Sequence, residues 1–209
     1  FCVRNYVLLN LLLRISPAID FPFVVVGRPD NPEEVLWVNN DNISAMYNVV
    51  EKLIKKGHRK IGFVGAIENL NMSKDRFIGY KNALFDNKIS YDESIVVHKD
   101  EFIENKGQSA CNELLQNKDI TAIVTTDDLI AFGIMKELKL KNIDNISIVG
   151  FNNTPLSAYQ NPPLATVDIN AYELGYSAAK LLINNLEGKE HAKRHYIVDT
   201  EFIERESFI

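Results

Sequence analysis

The stretch from Ala122 to Asn153, AIVTTDDLIAFGIMKELKLKNIDNISIVGFNN, constrains the fold more than any other. It reads as strand, helix, strand. Ala122 to Val124 is a short apolar run rich in β-branched side chains, as expected of a strand buried on both faces. Thr125, Thr126, Asp127 and Asp128 then offer hydroxyls and carboxylates to cap a helix. Leu129, Ile130, Phe132, Gly133, Met135 and Leu138 set an apolar stripe on that helix. Ile146 to Val149 is a second strand, closed by Gly150, Phe151, Asn152 and Asn153. If both strands lie in one parallel sheet, Asp127/Asp128 and Asn152/Asn153 emerge together at its carboxyl edge, where open α/β sheets bind ligands.

The same alternation runs through most of the chain. Strands are expected over 21–28, at Trp37-Val38, over 59–65 and over 95–98. Helices are expected from Asp41 or Asn42 to Lys56, from Ser73 to Asn87, and from Glu104 to Gln116. Lys55, Lys56 and Gly57 supply a favourable helix C-terminus, with cations in the last turn and glycine just beyond. Beyond Asn153 the pattern changes. Pro162-Pro163 interrupts it, residues 164–169 are extended, Tyr172 to Leu186 is helical, and residues 195–204 form one last strand. Strict strand–helix alternation predicts an α/β fold with parallel sheets flanked by helices.

The 209 residues are 46% hydrophobic and 24% charged, an ordinary globular composition, and the formal charge of −5 gives no basic surface of its own for nucleic acid. Cys2 and Cys111 form no motif, which suits a reducing, cytoplasmic setting. No run reaches the roughly 20 apolar residues of a membrane helix, so no membrane partner is expected. The first residue is Phe, so a fragment or processed product is expected. Residues 1–20 are leucine-rich and suit a helix packed on a sheet edge. A secretory core over Val7–Leu13 is disfavoured by Asn10 and by the lack of a small-residue cleavage site. G-x-S-x-G, H-E-x-x-H, a P-loop and metal-spaced cysteines are all missing, and His191 and His195 straddle a polar loop and a strand. The sequence therefore predicts no enzyme, no metal and no cofactor.

Six segments, in order, carry a further signal: Gly57-His58-Arg59-Lys60-Ile61; Ser73-x-x-Arg76-x-x-Gly79-Tyr80; Thr126-Asp127-Asp128-Leu129-x-Ala131-x-Gly133; Ile146 to Asn152; Pro163-Leu164-Ala165-Thr166-Val167; and Thr200-x-x-x-Glu204-Arg205-Glu206-Ser207. Together, over about residues 21–209, they resemble the effector-binding domain of the LacI/GalR family of bacterial transcription regulators. Within it, GFNNTPLSAYQNPPLATVDIN most resembles maltose-operon repressors. The resemblance implies a two-lobed, periplasmic-binding-protein-like (type I) fold with a small effector in the cleft and an incomplete N-terminal lobe. Residues 1–41 and 167–190 would form that lobe, and 42–166 with 191–209 the C-terminal lobe. The helix-turn-helix head would lie outside this chain. The expected partners are a sugar effector, operator DNA through that head, and a second copy in a homodimer.

Read alone, Arg76 is a helix arginine suited to a surface ion pair; the resemblance implies that its fork of donors reaches the effector. Asp127 and Asp128 suit capping. The resemblance implies that the first of the pair touches the ligand and is more often Asn, so Asp127 departs in type but is the expected ligand contact, with Asp128 in a capping or structural role; a carboxylate suits sugar hydroxyls and repels phosphate. Asn152 stands where many members carry aspartate, and read alone it is a turn residue that tolerates the left-handed region. Phe102 read alone is core, but its place matches an aromatic that stacks on a sugar ring. Arg28, Asn42 and Ser73 are weaker candidates. The reading is a sugar-sensing and dimerisation domain of a repressor. Its alternatives are a periplasmic or lipoprotein sugar-binding component of a transporter and an enzyme on a doubly wound fold.

Overall fold

The computed structural model describes residues 22–117, 119–189 and 194–209. The expectations for residues 1–20 and for His191 lie outside them. The chain divides into two units, one formed by residues 1–40 and 170–199 and the other by 41–169 and 200–209.

The smaller unit holds three parallel strands, β1 (Val24–Val26), β2 (Leu36–Asn40) and β8 (His195–Val198), in the order β1-β2-β8. Helix α5 (Ala171–Leu186) packs on them through Leu174 and Leu181. Its N-cap, Asn170, takes a left-handed conformation, and its side chain accepts a hydrogen bond from Glu173 N. Trp37 stacks on His195 with ring centroids 4.6 Å apart, which closes the β2–β8 pair.

The larger unit is built on a four-stranded parallel sheet. Its strands are β3 (Ile61–Ala66), β4 (Val96–Lys99), β5 (Ala122–Thr125) and β6 (Ser147–Val149), in the order β4-β3-β5-β6. All residues of β3, β5 and β6 are buried, as continuous apolar strands between two helical layers should be. Successive side chains point to opposite faces. Ile61, Phe63, Ala122 and Val124 therefore join α1 (Asn42–Lys55) and α2 (Asn71–Asp86) in one core, while Val64, Ala66 and Ile123 join α3 (Glu104–Leu114) and α4 (Asp128–Leu140) in the other. Asp41 caps α1 by accepting hydrogen bonds from Ser44 N at 2.9 Å and Ser44 Oγ at 2.7 Å.

Helices α3 and α4 meet backbone to backbone. A Cβ at Gly107 would run into the Ile130 carbonyl, and one at Gly133 into the Glu104 carbonyl. Neither obstacle is a flexible side-chain tip, so Gly133→Ala must push the helices apart. Urea unfolding is expected to show a loss of about 3 kcal/mol, the upper part of the range for overpacking.

The start of α2 and the last expected strand differ from the sequence expectation. Helix α2 starts at Asn71, because Ser73 does not cap it; the Ser73 hydroxyl donates instead to Ala66 O at the end of β3, at 2.7 Å. The single strand expected over 195–204 is two. After β8 the chain leaves the smaller unit, and β9 (Glu201–Ile203) pairs antiparallel with β7 (Thr166–Asp168) in the larger one. The polar pair Asp199 and Thr200 falls between the two strands, at the crossing.

Candidate effector site

In the order β4-β3-β5-β6 the chain steps outward from β3 to β4 and then returns to the other side of β3 as β5. The connections after β3 and β5 leave in opposite directions, which opens a crevice at their carboxyl ends. Thr126, just past β5, accepts a hydrogen bond on its hydroxyl from Ala66 N at 3.2 Å, tying the two strand ends together.

Arg76 of α2 points into this crevice and is only 3% exposed. Its Nε donates to Asn42 Oδ1 at 2.8 Å, its Nη1 to Thr126 O at 2.6 Å, and its Nη2 to Asn152 Oδ1 at 3.5 Å. The guanidinium carbon lies 3.5 Å from the centre of the Phe151 ring, a cation–π stack. One arginine thus joins the start of α1, α2, and the ends of β5 and β6. Burial lowers its pKa to about 9, with Asp127, Asp128 and Asp75 acting to raise it.

The two neighbouring aspartates do different things. Asp127 is the N-cap of α4: its Oδ1 accepts from Leu129 N at 2.7 Å, and its Oδ2 from Asn152 Nδ2 at 2.8 Å. Asp128 is fully buried. Its Oδ1 accepts from Thr166 Oγ1 at 2.6 Å and its Oδ2 from Thr154 N at 2.7 Å and Ser157 Oγ at 2.8 Å. Asp128 therefore fastens β7 and the loop after β6 to α4, while Asp127 remains half-buried at the crevice. Asn152 holds a positive φ of 106°, a conformation that asparagine tolerates better than other side-chain-bearing residues. Its amide bridges cation and anion, with oxygen toward Arg76 and nitrogen toward Asp127.

The periplasmic binding protein-like domain family matches residues 50–208. The HTH-type transcriptional regulator MalR of Staphylococcus xylosus is 32% identical over 192 residues, covering 89% of this chain and 55% of that protein. A crystal structure of a LacI transcriptional regulator from Bacillus cereus subsp. cytotoxis is 37% identical with a TM-score of 0.88, covering 94% of this chain and 71% of the other. The chain belongs to the LacI/GalR family, as an effector-binding domain. It spans about half the length of the curated relatives it matches. A complex of the transcriptional regulator CelR with cellobiose is also similar, at 26% identity and a TM-score of 0.89, covering 94% of this chain and 62% of that one.

The structure gathers three of the six site residues expected from this LacI/GalR resemblance, Arg76, Asp127 and Asn152, into one hydrogen-bonded chain. Ser73 is buried beside them on α2, its hydroxyl occupied by the Ala66 carbonyl. Asn42 joins as an acceptor for Arg76. Phe102 is half-buried and packs against the core cluster of α3 and α4. Arg28 belongs to the smaller unit, one residue past Gly27, whose φ is 114° and whose N–H donates to Val38 O at 2.7 Å. Asn153, named from the sequence only as part of the polar edge, is more engaged than that reading implied. Its amide donates to Asp168 Oδ2 at 2.9 Å and accepts from Arg205 Nη2 at 2.8 Å. Two successive asparagines after Gly150-Phe151 were the available signal, since both adopt positive φ.

Burial pushes the Asp127 carboxyl up to about 6, with Asp128 adding to the rise and the Leu129 N–H and Arg76 opposing it. An unfolded aspartate titrates near 3.9. The folded chain therefore holds the extra proton between those values, and stability falls as pH rises from about 4 to about 6, then levels. Two pH units correspond to about 2–3 kcal/mol. Asp127→Asn is expected to abolish this slope, as read by urea unfolding at intervals from pH 4 to 7.5.

Proposed function

We propose that this chain is the ligand-sensing and dimerisation part of a bacterial transcriptional repressor, and that its effector is maltose or a related α-glucoside. The observation that carries this reading is the Arg76–Asn152–Asp127 chain at the switch point of the larger unit's sheet. It offers a cation, an amide and a carboxylate side by side. Sugar hydroxyls both donate and accept, so a fork of donors next to an acceptor-only group suits them. A phosphorylated ligand would have to bring its charge beside Asp127. The similarity to HTH-type regulators supports a role in transcription, and the cellobiose complex of CelR supports a neutral saccharide as the class of effector.

Operator DNA would be held by a helix-turn-helix head, with this chain supplying the effector response and the contact between two copies in a cytoplasmic homodimer. Among the described residues no helix is long and apolar enough to cross a membrane. The domain works by binding, not by turnover. An effector with unequal affinity for two conformations shifts their populations by that difference and no more. In a gel shift with the full-length repressor, saturating maltose is expected to change operator affinity at least about ten-fold, a coupling of about 1.4 kcal/mol. Unchanged operator affinity with maltose, cellobiose and other glucosides would contradict the reading.

A further inference from the structure

The loop that carries Asn152 is stitched to the segments by which the chain passes between its two units. Gly150 N donates to Ala165 O and Asn152 N to Val167 O, both at 2.8 Å, so the loop runs along β7. Beyond β7 the chain leaves the larger unit after Ile169, and it returns at Thr200 to form β9, which pairs with β7. Asn153 sits where these pieces meet. Its amide nitrogen holds Asp168, the last residue of β7. Its amide oxygen holds Arg205, two residues past β9, and the same guanidinium donates to Leu164 O at 2.7 Å on the approach to β7. The backbone adopts φ 49°, and its N–H donates to Thr166 Oγ1 at 3.3 Å.

We propose that Asn153 is a positioning residue that transmits effector occupancy at Asn152 to both chain crossings. This rests on the reading of Arg76, Asp127 and Asn152 as the effector site. A ligand that takes the place of the Asn152–Asp127 bond must shift the Asn152 amide, and the next peptide carries the Asn153 amide with it. Because that amide bonds β7 with one end and Arg205 with the other, one displacement reaches both crossings together. A primary amide suits this role because it donates to a carboxylate and accepts from a guanidinium at once.

The variant of choice is Asn153→Gly, since glycine accepts the positive φ and removes only the amide. The 209-residue chain and this variant are compared by calorimetric titration and by hydrogen exchange, with maltose and then cellobiose as probes. In the native chain, sugar is expected to slow exchange over residues 165–169 and 200–204. Asn153→Gly is expected to bind the same sugar with affinity within about three-fold, under 1 kcal/mol, while exchange at both crossings no longer responds. Sugar-dependent protection that survives in Asn153→Gly would overturn the proposal, as would loss of binding, which would make Asn153 a ligand contact. Sugar that binds the native chain without protecting the crossings would overturn the coupling alone. Failure of either sugar to bind the native chain would overturn the effector reading, and the coupling with it.

Discussion

Arg76→Ala is expected to be the most damaging single change in this chain. It removes a buried cation whose three donor groups satisfy Asn42 Oδ1, Thr126 O and Asn152 Oδ1, and it vacates the face of Phe151. Breaking a buried charged network from one side costs about 3–5 kcal/mol, because the surviving partners lose their hydrogen bonds without regaining water. Asp127 would also lose the cation that lowers its pKa. Urea unfolding should therefore show a large stability loss together with a further rise of the Asp127 titration. Arg76→Lys should recover little of it, since an ammonium cannot reach three acceptors through a planar fork. Near-native stability in either variant would mean that the arginine is not the joint between α1, α2 and the ends of β5 and β6.

The second large effect belongs to Asp128, and its neighbour serves as the control. Asp128→Ala would leave Thr166 Oγ1, Thr154 N and Ser157 Oγ without their acceptor in a site with no exposure. A loss of about 3–5 kcal/mol is expected, because a buried group left unsatisfied costs about 1–3 kcal/mol and, among the described residues, only Ser157 Oγ has a second acceptor in reach, Thr154 Oγ1 at 3.2 Å. Asp127→Ala removes an N-cap from a half-buried position and should cost about 1 kcal/mol. Thermal unfolding of the two variants side by side tests the contrast. Equal losses would mean that the division of labour between the paired carboxylates is wrong.

That division shows how far the sequence could be read. The strands of the larger unit were legible because β3, β5 and β6 are buried on both faces and so read as short, mostly apolar runs. The convergence of Asp127 and Asn152 followed from the parallel order alone. Which carboxylate faces the crevice came from the family resemblance, which put Asp127 on the ligand, and not from the local pattern, since Asp127 and Asp128 are chemically identical and adjacent. In the structure the packing of β7 and the Thr154–Ser157 turn against Asp128 separates them. The depth of Arg76 was equally hidden. A helix arginine among polar neighbours looks solvent-facing until α1 is seen to cover it, and its role came from resemblance to a family, not from periodicity. Asn153 is legible only as part of the polar edge, because its partners, Asp168 and Arg205, are 15 and 52 residues away. Tertiary hydrogen bonds of this kind leave no local pattern.

The exchanged chemistry of the site also bears on function. The family resemblance implies an aspartate after β6 and an asparagine after β5, where this chain has Asn152 and Asp127. Here the Asn152 amide donates to the Asp127 carboxylate across the two strand ends. The carboxylate now caps α4, and its pKa is raised to about 6 by burial. Effector affinity and stability should therefore both respond to mild acid.

The most direct test of the account is calorimetric titration of this chain and of Asn152→Ala with maltose. Saturable binding is expected in the native chain, weakened in the variant at least about ten-fold, or about 1.4 kcal/mol. Affinity unchanged by Asn152→Ala, or no heat of binding with maltose or any other glucoside, would contradict the claim that the Arg76–Asn152–Asp127 group is a sugar site.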